Sequence, residues 1–199
     1  MVTVVLATRN PGKVVEIRTI LSDLKLDIRS LSEMPDSPEV VEDGATLEEN
    51  AIKKAREVHE RFHLLTLADD SGLEVYALGM KPGVRSARFA GQKATYAENN
   101  RKLLEALSGV HERRARFRCV AALAGEGIVK SVEGVCTGRI AENASGEGGF
   151  GYDPIFIPEG FERTFAELPS DIKNRISHRA RAFTLVKEIL REYAKNLSH

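Results

Sequence analysis

The chain opens on an unbroken run of β-branched and aliphatic residues, 2–7, which reads as a strand buried on both faces. A polar stretch, Thr8-Arg9-Asn10-Pro11-Gly12-Lys13, ends it. After this, Val14, Ile17, Leu21 and Leu24 recur at helical spacing. A second strand is expected over 26–31, followed by a Pro- and acid-rich loop over 33–44. Thr46 with Glu49 forms a capping box, and Leu47, Ala51, Ala55, Val58 and Phe62 supply the buried stripe of the helix it opens. Leu64, Leu65 and Leu67 read as another buried strand. Asp69 and Asp70 follow at once, and Ser71-Gly72 is expected to turn the chain.

Residues 73–78 continue as a strand into a glycine turn and Lys81-Pro82-Gly83-Val84, with 85–89 irregular. A second capping box, Thr95 with Glu98, opens a helix whose face carries Tyr96, Asn100, Leu103, Leu104 and Leu107, and Gly109 stops it. From 114 to 140 the period changes to two: Ala115, Phe117, Cys119, Ala121 and Leu123 alternate with Arg114, Arg116, Arg118 and Val120. With a turn at Gly125-Glu126-Gly127, this predicts an antiparallel meander of three segments. A short strand over 155–157, a hairpin through Phe161 and Phe165 and a polar turn over 170–173 lead to the last helix. Ser177 is its expected N-cap, and Ala182, Phe183, Val186, Ile189, Leu190 and Tyr193 its inner face. The whole predicts an α/β fold with a long mixed β-sheet flanked by helices. No repeat or linker interrupts it, so residues 1–199 read as a single domain in which the meander could form a second lobe beside a cleft.

At 199 residues the chain can bury a sizeable core without disulfides or a structural metal. Lysine plus arginine equals aspartate plus glutamate, 29 of each, so no global charge recruits nucleic acid or a membrane. Arg113, Arg114, Arg116 and Arg118 read as one face of a strand rather than as a basic patch. Cys119 and Cys136 lack metal-ligand spacing and fit reduced core thiols of a cytosolic protein. No apolar run reaches membrane-spanning length, and the N-terminus begins a strand directly without a basic leader. A soluble, cytoplasmic protein is expected.

Four stretches carry candidate chemistry. A buried strand ending in Asp69-Asp70 delivers carboxylates to the edge of a sheet, where open α/β folds place ligands; the plain alternative is a turn capped by an Asp. The loop 8–13 offers backbone N–H groups and a helix N-terminus to an anion, and Lys13 adds a charge, although an N-P-G-K turn also occurs as structure alone. Glu42 comes up to the next helix start; Asn50, Lys53 and Lys54 lie off that helix's buried stripe, where a solvated face is the ordinary reading, although Lys53 in its first two turns could reach the same ligand as Lys13. Glycines frame Phe150, Gly151, Tyr152 and Asp153 between 146 and 154, which argues for a loop held open around something flat rather than for two core aromatics. His178 and Arg179 fall in a helix's first turn, where cations are disfavoured without an anionic or polar partner. Lysines with carboxylates suggest Mg²⁺ and phosphates, and an aromatic beside an acid suggests a stacked base read along its edge. The chemistry is that of a magnesium-dependent nucleotide enzyme.

Six stretches in order, T-R-N-P-G-K, E-N-A-x-x-K-A, A-D-D-S-G-L, G-x-x-P-G-V-x-S-A-R-F, G-G-F-G-Y-D-P and I-S-H-R, resemble the inosine/xanthosine triphosphate pyrophosphatase family from Thr8 to Arg179. Arg9 is a departure, standing where the family more often has a small or polar residue. The resemblance implies two lobes around a central cleft, a homodimer, and hydrolysis between the α- and β-phosphates of non-standard purine nucleoside triphosphates such as ITP, dITP and XTP. It implies that Thr8, Arg9, Asn10, Pro11, Gly12, Lys13 and Lys53 hold the triphosphate. Glu42 and Asp70 would hold Mg²⁺, with Asp70 as general base. Ser71, Phe150, Gly151, Tyr152, Asp153, Lys173, His178 and Arg179 would bind the nucleotide.

Hypoxanthine and xanthine present a 6-oxo acceptor and an N1–H donor, where adenine presents the reverse. Asp153 accepting from N1–H would therefore favour the first pair. Two other classes stay open on the residues alone: a phosphatase of small metabolites, and a nucleotide-binding regulatory module that lacks a water-activating carboxylate.

Overall fold

The computed structural model describes residues 2–196. Within them the chain divides into two compact units. One comprises residues up to Asp70, Cys119–Gly134 and the chain from Arg179; the other comprises Ser71–Arg118 and Val135–His178.

The first unit starts with β1 (Val2–Leu6), α1 (Pro11–Ile20) and β2 (Leu26–Ser30), then α2 (Leu47–Phe62). β1 pairs in parallel with β2 along its whole length and with β3 (Leu65–Val75) from Val4↔Leu65 to Leu6↔Leu67. The helical connections make this arrangement necessary, since parallel neighbours need a long crossover. The end of β5 (Arg114–Gly125), the start of β6 (Ile128–Ile140) and α5 (His178–Asn196) complete the unit. Its core packs Val4, Leu6, Ile17 and Leu67 against Cys119, Ala121 and Leu123 and against Ala182, Phe183 and Val186 of α5.

The second unit holds β4 (Lys81–Gly83), antiparallel to the end of β3, then α3 (Tyr96–Ala106), β7 (Phe156–Pro158), antiparallel to the end of β6, and α4 (Ser170–Ile176). Leu73, Val75, Leu103, Phe117, Ile140, Tyr152, Phe156 and Phe165 form its core. β5 and β6 are joined through Glu126-Gly127, a link too short for anything but an antiparallel pair, and Gly127 takes the left-handed φ of +69° that such turns require. Among the described residues the strands make one seven-stranded mixed sheet in the order β2-β1-β3-β5-β6-β7, with β4 on β3. The expected α/β fold with a mixed sheet and flanking helices is the one observed, and both capping boxes form as read.

Several local expectations change. Ser71-Gly72 is not a turn: β3 runs straight through it. Gly72 is needed there because a Cβ would lie 2.5 Å from the Gly83 carbonyl oxygen of β4. The meander has two strands rather than three, since β6 continues without a break to Ile140. Residues 170–173 start α4 rather than a loop, and residues 153–155 form a 3₁₀ turn that delays β7 by one residue. On α3 the outer position belongs to Tyr96, about half exposed, while Asn99 joins the buried face.

Arg116 and Arg118 both reach Glu74 of β3, at 2.7 and 2.8 Å, so these two arginines of β5 serve its own sheet. Neither cysteine is in a disulfide, and both are buried. No helix among the described residues is long and apolar enough to cross a membrane.

Candidate active site

In the first unit, β1 stops one turn of pleat before the two aspartates of β3. Ala7 N–H still donates to Leu67 O at 2.7 Å, and then the chain leaves the sheet at Thr8. β3 therefore carries Asp69 and Asp70 past the end of its parallel neighbour, where loop and helix termini can meet them. Asn10 caps α1: its Oδ1 accepts from Gly12 N at 3.0 Å and Lys13 N at 3.3 Å, and Pro11 occupies the first helical position that its fixed φ suits. Thr8 Oγ1 accepts from Asn10 N at 3.1 Å. Lys13 then reaches back over this turn to Asp69 Oδ2 at 3.0 Å.

Asp69 and Asp70 sit in very different surroundings. Asp69 is 2% exposed, and its Oδ2 also takes Arg179 Nη2 at 3.0 Å and Nε at 3.3 Å, while Arg179 Nη1 donates to Glu16 at 2.7 Å. Burial alone would push the Asp69 carboxyl up, but Lys13, Arg179 and Lys54 outweigh it and hold the group far below the usual range. Arg179 is fixed as a cation in the same way: burial disfavours its charge, but Asp69 and Glu16 overcome it. Asp69 is thus a permanent anion joining β3 to α1 and α5.

Asp70, 7% exposed, is pushed the other way. Burial raises its pKa, Glu42 adds to the rise, and Lys54, Lys13 and a hydrogen bond from Asn50 oppose it without cancelling it. A carboxylate made more basic in this way is suited to accept a proton.

The lysine that α2 brings to these groups is not Lys53 but Lys54, which with Asn50 is buried on the stripe rather than off it as the sequence suggested. Lys54 Nζ donates to Glu42 Oε1 at 2.6 Å and to Asp69 O at 2.7 Å. Burial works against its charge, but Asp70, Glu42 and Asp69 prevail and raise its pKa. Lys53 instead pairs with Asp43 at 2.6 Å and lies 3.9 Å from Glu57, with a third of its side chain in solvent. Adjacent helical residues point about 100° apart, so only one of the two can share the inward stripe of Leu47, Asn50, Ala51 and Ala55. The signal was present: Lys54 lies four residues after buried Asn50 and is the lysine of the E-N-A-x-x-K-A stretch. Arg9 turns aside from Lys13 and donates to Ser37 O, Ser37 Oγ and Pro38 O at 2.9, 2.8 and 3.2 Å, bracing the loop that leads to Glu42.

In the second unit the glycine-framed loop is fastened from several sides. Asp153, 3% exposed, accepts from Phe150 N–H at 2.8 Å and pairs with Lys173, both through Oδ2. Gly149 has φ +71°, and a Cβ on it would fall 2.0 Å from that oxygen, so only glycine closes the turn. The Gly151 carbonyl accepts from Asn100 Nδ2 at 3.1 Å. Tyr152 packs in the core and donates its hydroxyl to Ser86 O at 2.8 Å, and burial pushes its phenol up so that it stays a donor. Tyr152 and Asp153 therefore hold the loop in shape, whereas Phe150 and Gly151 remain partly exposed. The Phe150 ring has Lys173 Nζ 4.9 Å from its centroid and the Tyr96 ring at 6.3 Å.

Lys173, His178 and Arg179 do not form one cluster. Lys173 belongs to the loop, His178 stacks on Phe117 at 4.5 Å within the second unit's core, and Arg179 belongs to the Asp69 network. Ser71 is half-buried on β3 immediately after Asp70. The residues that sequence reasoning missed are Glu16, Asn50, Lys54 and Asn100, all polar, buried and on helices. For α2, helical spacing was the available clue: Asn50 falls three residues after Leu47 and Lys54 three after Ala51, on the buried stripe itself.

The mixed parallel–antiparallel sheet flanked by helices makes this an α/β protein; its first unit carries a cluster of lysines and carboxylates beyond the end of β1, and its second unit a fastened aromatic glycine loop. The chain belongs to the Ham1 family, whose model matches residues 4–189. It is 50% identical over 189 residues to the dITP/XTP pyrophosphatase of Desulforamulus reducens, covering 94% of both chains. With the dITP/XTP pyrophosphatase of Bacillus subtilis it shares 47% identity over 189 residues, 94% of this chain and 96% of the other. Among solved structures, a HAM1 protein from Coxiella burnetii matches with a TM-score of 0.87 at 43% identity, over 96% of this chain and 100% of that one. The Ham1 protein of Staphylococcus aureus gives 0.85 at 38% identity, over 96% and 99%.

Proposed function

We propose that this chain hydrolyses non-standard purine nucleoside triphosphates, ITP, dITP and XTP, to the monophosphate and pyrophosphate, and so removes deaminated purines from the nucleotide pool. The observation that carries the reading is the first unit's cluster, where Asp70, a buried carboxylate of raised basicity, shares Lys54 with Glu42 and has Lys13 nearby. Relatives about half identical over nearly the whole chain are named dITP/XTP pyrophosphatases, which supports the substrate class.

In this reading Asp70 takes a proton from water as the water oxygen bonds to the α-phosphorus. The bond from that phosphorus to the bridging oxygen breaks, and pyrophosphate leaves with the electron pair. Lys13 and Lys54 offset charge on the phosphate chain, with Thr8 and Asn10 to Gly12 supplying polar groups beside it. The loop of the second unit meets the purine through Phe150, Gly151 and Lys173, with Ser71 and His178 as further nucleoside contacts. Tyr152 and Asp153 keep that loop in shape, and Arg179 serves through Asp69.

Mg²⁺ fits the donor set. The ion is commonly held by one or two carboxylates together with substrate phosphates, and Glu42 and Asp70 are two hard-oxygen donors within one network while Asp69 is committed to Lys13 and Arg179. When bound, such an ion would neutralise charge on the phosphate oxygens. The reading includes a cytoplasmic homodimer, for which sedimentation equilibrium is the test of assembly.

Incubation with dITP, XTP and ITP in excess Mg²⁺, followed by identification of the product, tests the reaction. Pyrophosphate is expected. Orthophosphate would indicate a phosphatase instead, and no turnover a binding module.

A further inference from the structure

α2 buries an asparagine and a lysine, Asn50 and Lys54, in a stripe otherwise made of leucine, alanine and valine. Asn50 is 1% exposed and lies in the helix's first turn. Asparagine is a weak helix former, and its amide is costly to bury unless both ends are paired. Both ends are: Oδ1 accepts from Gly44 N–H at 2.8 Å, and Nδ2 donates to Asp70 Oδ2 at 3.0 Å. A backbone N–H can only donate, so it fixes which end of the amide faces it. Turned over, the amide would set its NH₂ against the Gly44 N–H and its oxygen against the carboxylate.

Gly44 is shaped to the same contact. A Cβ there would come 2.7 Å from Asn50 Oδ1 and 2.8 Å from Glu49 Cβ. Glu42 lies two residues earlier on that backbone, and Lys54, one turn further along the same face of α2, holds it at 2.6 Å. The first turns of α2 thus reach both carboxylates that the proposed function gives to the metal. A local preference is broken at a fully buried position, and the whole of the offending side chain is spent on these two contacts, which is the pattern of a functional site.

We propose that Asn50 is a positioning residue for a divalent cation: by bridging Gly44 N–H and Asp70, it fixes the backbone that carries Glu42 relative to the Asp70 carboxylate. The inference rests on the reading of Glu42 and Asp70 as the metal carboxylates. Hydrogen-bonded partners of ligating carboxylates restrict their rotation and so raise metal affinity without touching the ion. Nothing in this role involves the base, so it predicts a defect in metal binding that is independent of nucleotide recognition.

Mn²⁺ is the probe, because the free ion's electron paramagnetic resonance signal disappears on binding. Wild type, Asn50→Ala and Gly44→Ala are titrated with Mn²⁺ in the presence of an α,β-methylene analogue of dITP, below the melting temperature of each. Gly44→Ala attacks the bridge from its other end with Asn50 intact, so the test survives if Asn50→Ala does not fold. Both substitutions are expected to weaken Mn²⁺ by ~10–100-fold, as losses of such supporting groups typically do, while binding of the analogue in EDTA is unchanged. Mn²⁺ affinity equal to wild type in either folded variant overturns the positioning role. So does a matching loss of analogue binding in EDTA, which would mark a general packing defect. A wild type that loads Mn²⁺ with the expected dependence on Asn50 but releases no pyrophosphate from dITP supports the positioning role and refutes the reaction.

Discussion

Arg179 Nη2 lies 3.0 Å from Asp69 Oδ2, a contact between two side chains 110 positions apart and both essentially sealed from solvent. It fastens the start of α5 to the middle of β3, and Lys13 and Glu16 of α1 complete it.

Asp69→Asn removes the anion at the centre of this network and leaves Lys13 and Arg179 short of a partner. Breaking one side of a buried pair costs about 3–5 kcal/mol, so urea unfolding at pH 7 should show a loss of that size. Because the folded pKa of Asp69 is depressed, its contribution is present above the unfolded value and fades as pH falls below it. The gap between wild type and variant should therefore narrow below about pH 4, the ordinary aspartate value. A gap that stays constant into acid would mean the charge of Asp69 contributes nothing.

Lys54→Met and Lys53→Met separate two neighbours on one helix. Lys54 touches Glu42 and the Asp69 backbone, and losing a placed charge at a reacting phosphate typically costs ~10²–10³-fold in kcat. Lys53→Met should leave turnover of dITP near wild type, since its partners are surface carboxylates. Equal losses in steady-state assays would defeat the assignment.

Asp70→Asn should fold and lose ~10²–10⁴-fold in rate, the usual value of a general base. Its stability should move the opposite way from that of Asp69→Asn. A raised folded pKa means that the ionised side chain is disfavoured in the fold, so stability is lost as pH rises through that value. Replacing the group by neutral Asn should hold or raise the melting temperature at pH 7 in EDTA. A clear drop in melting temperature would contradict the reading of Asp70 as a group strained for function.

Asp153→Ala tests the base loop. The carboxylate that seemed placed for a purine N1–H is spent on Phe150 N–H and Lys173. Its loss should lower kcat/KM for ITP and ATP by similar factors, and Gly149→Ala, which drives a Cβ into the same oxygen, should reproduce the pattern. Selective loss for ITP alone would restore the direct contact expected from the sequence.

What could be read from the sequence was local. Thr46 with Glu49 and Thr95 with Glu98 announce their helices because a capping box is complete within four residues, and the run into Thr8–Lys13 announces strand, loop and helix for the same reason. What misled was set by distant neighbours. Gly72 looked like a turn because nothing nearby in sequence shows the Gly83 carbonyl pressing on it. The partners of Arg179, Asp69 and Glu16, were hidden in the same way, because both are more than a hundred residues away in sequence. Lys53 and Lys54 differ by one step of helical phase, which the charge pattern alone did not resolve.

The two cysteines turn the protein into its own clock. Cys119 lies in the core of the first unit and Cys136 in that of the second, at 0% and 2% exposure, so neither thiol can meet a reagent such as DTNB until its surroundings open. The modification rate of each thiol therefore reports opening events in its own unit under native conditions. Identical rates that rise together with added denaturant would describe one cooperative opening. Separate rates would rank the two cores by how often each is breached, with no residue replaced.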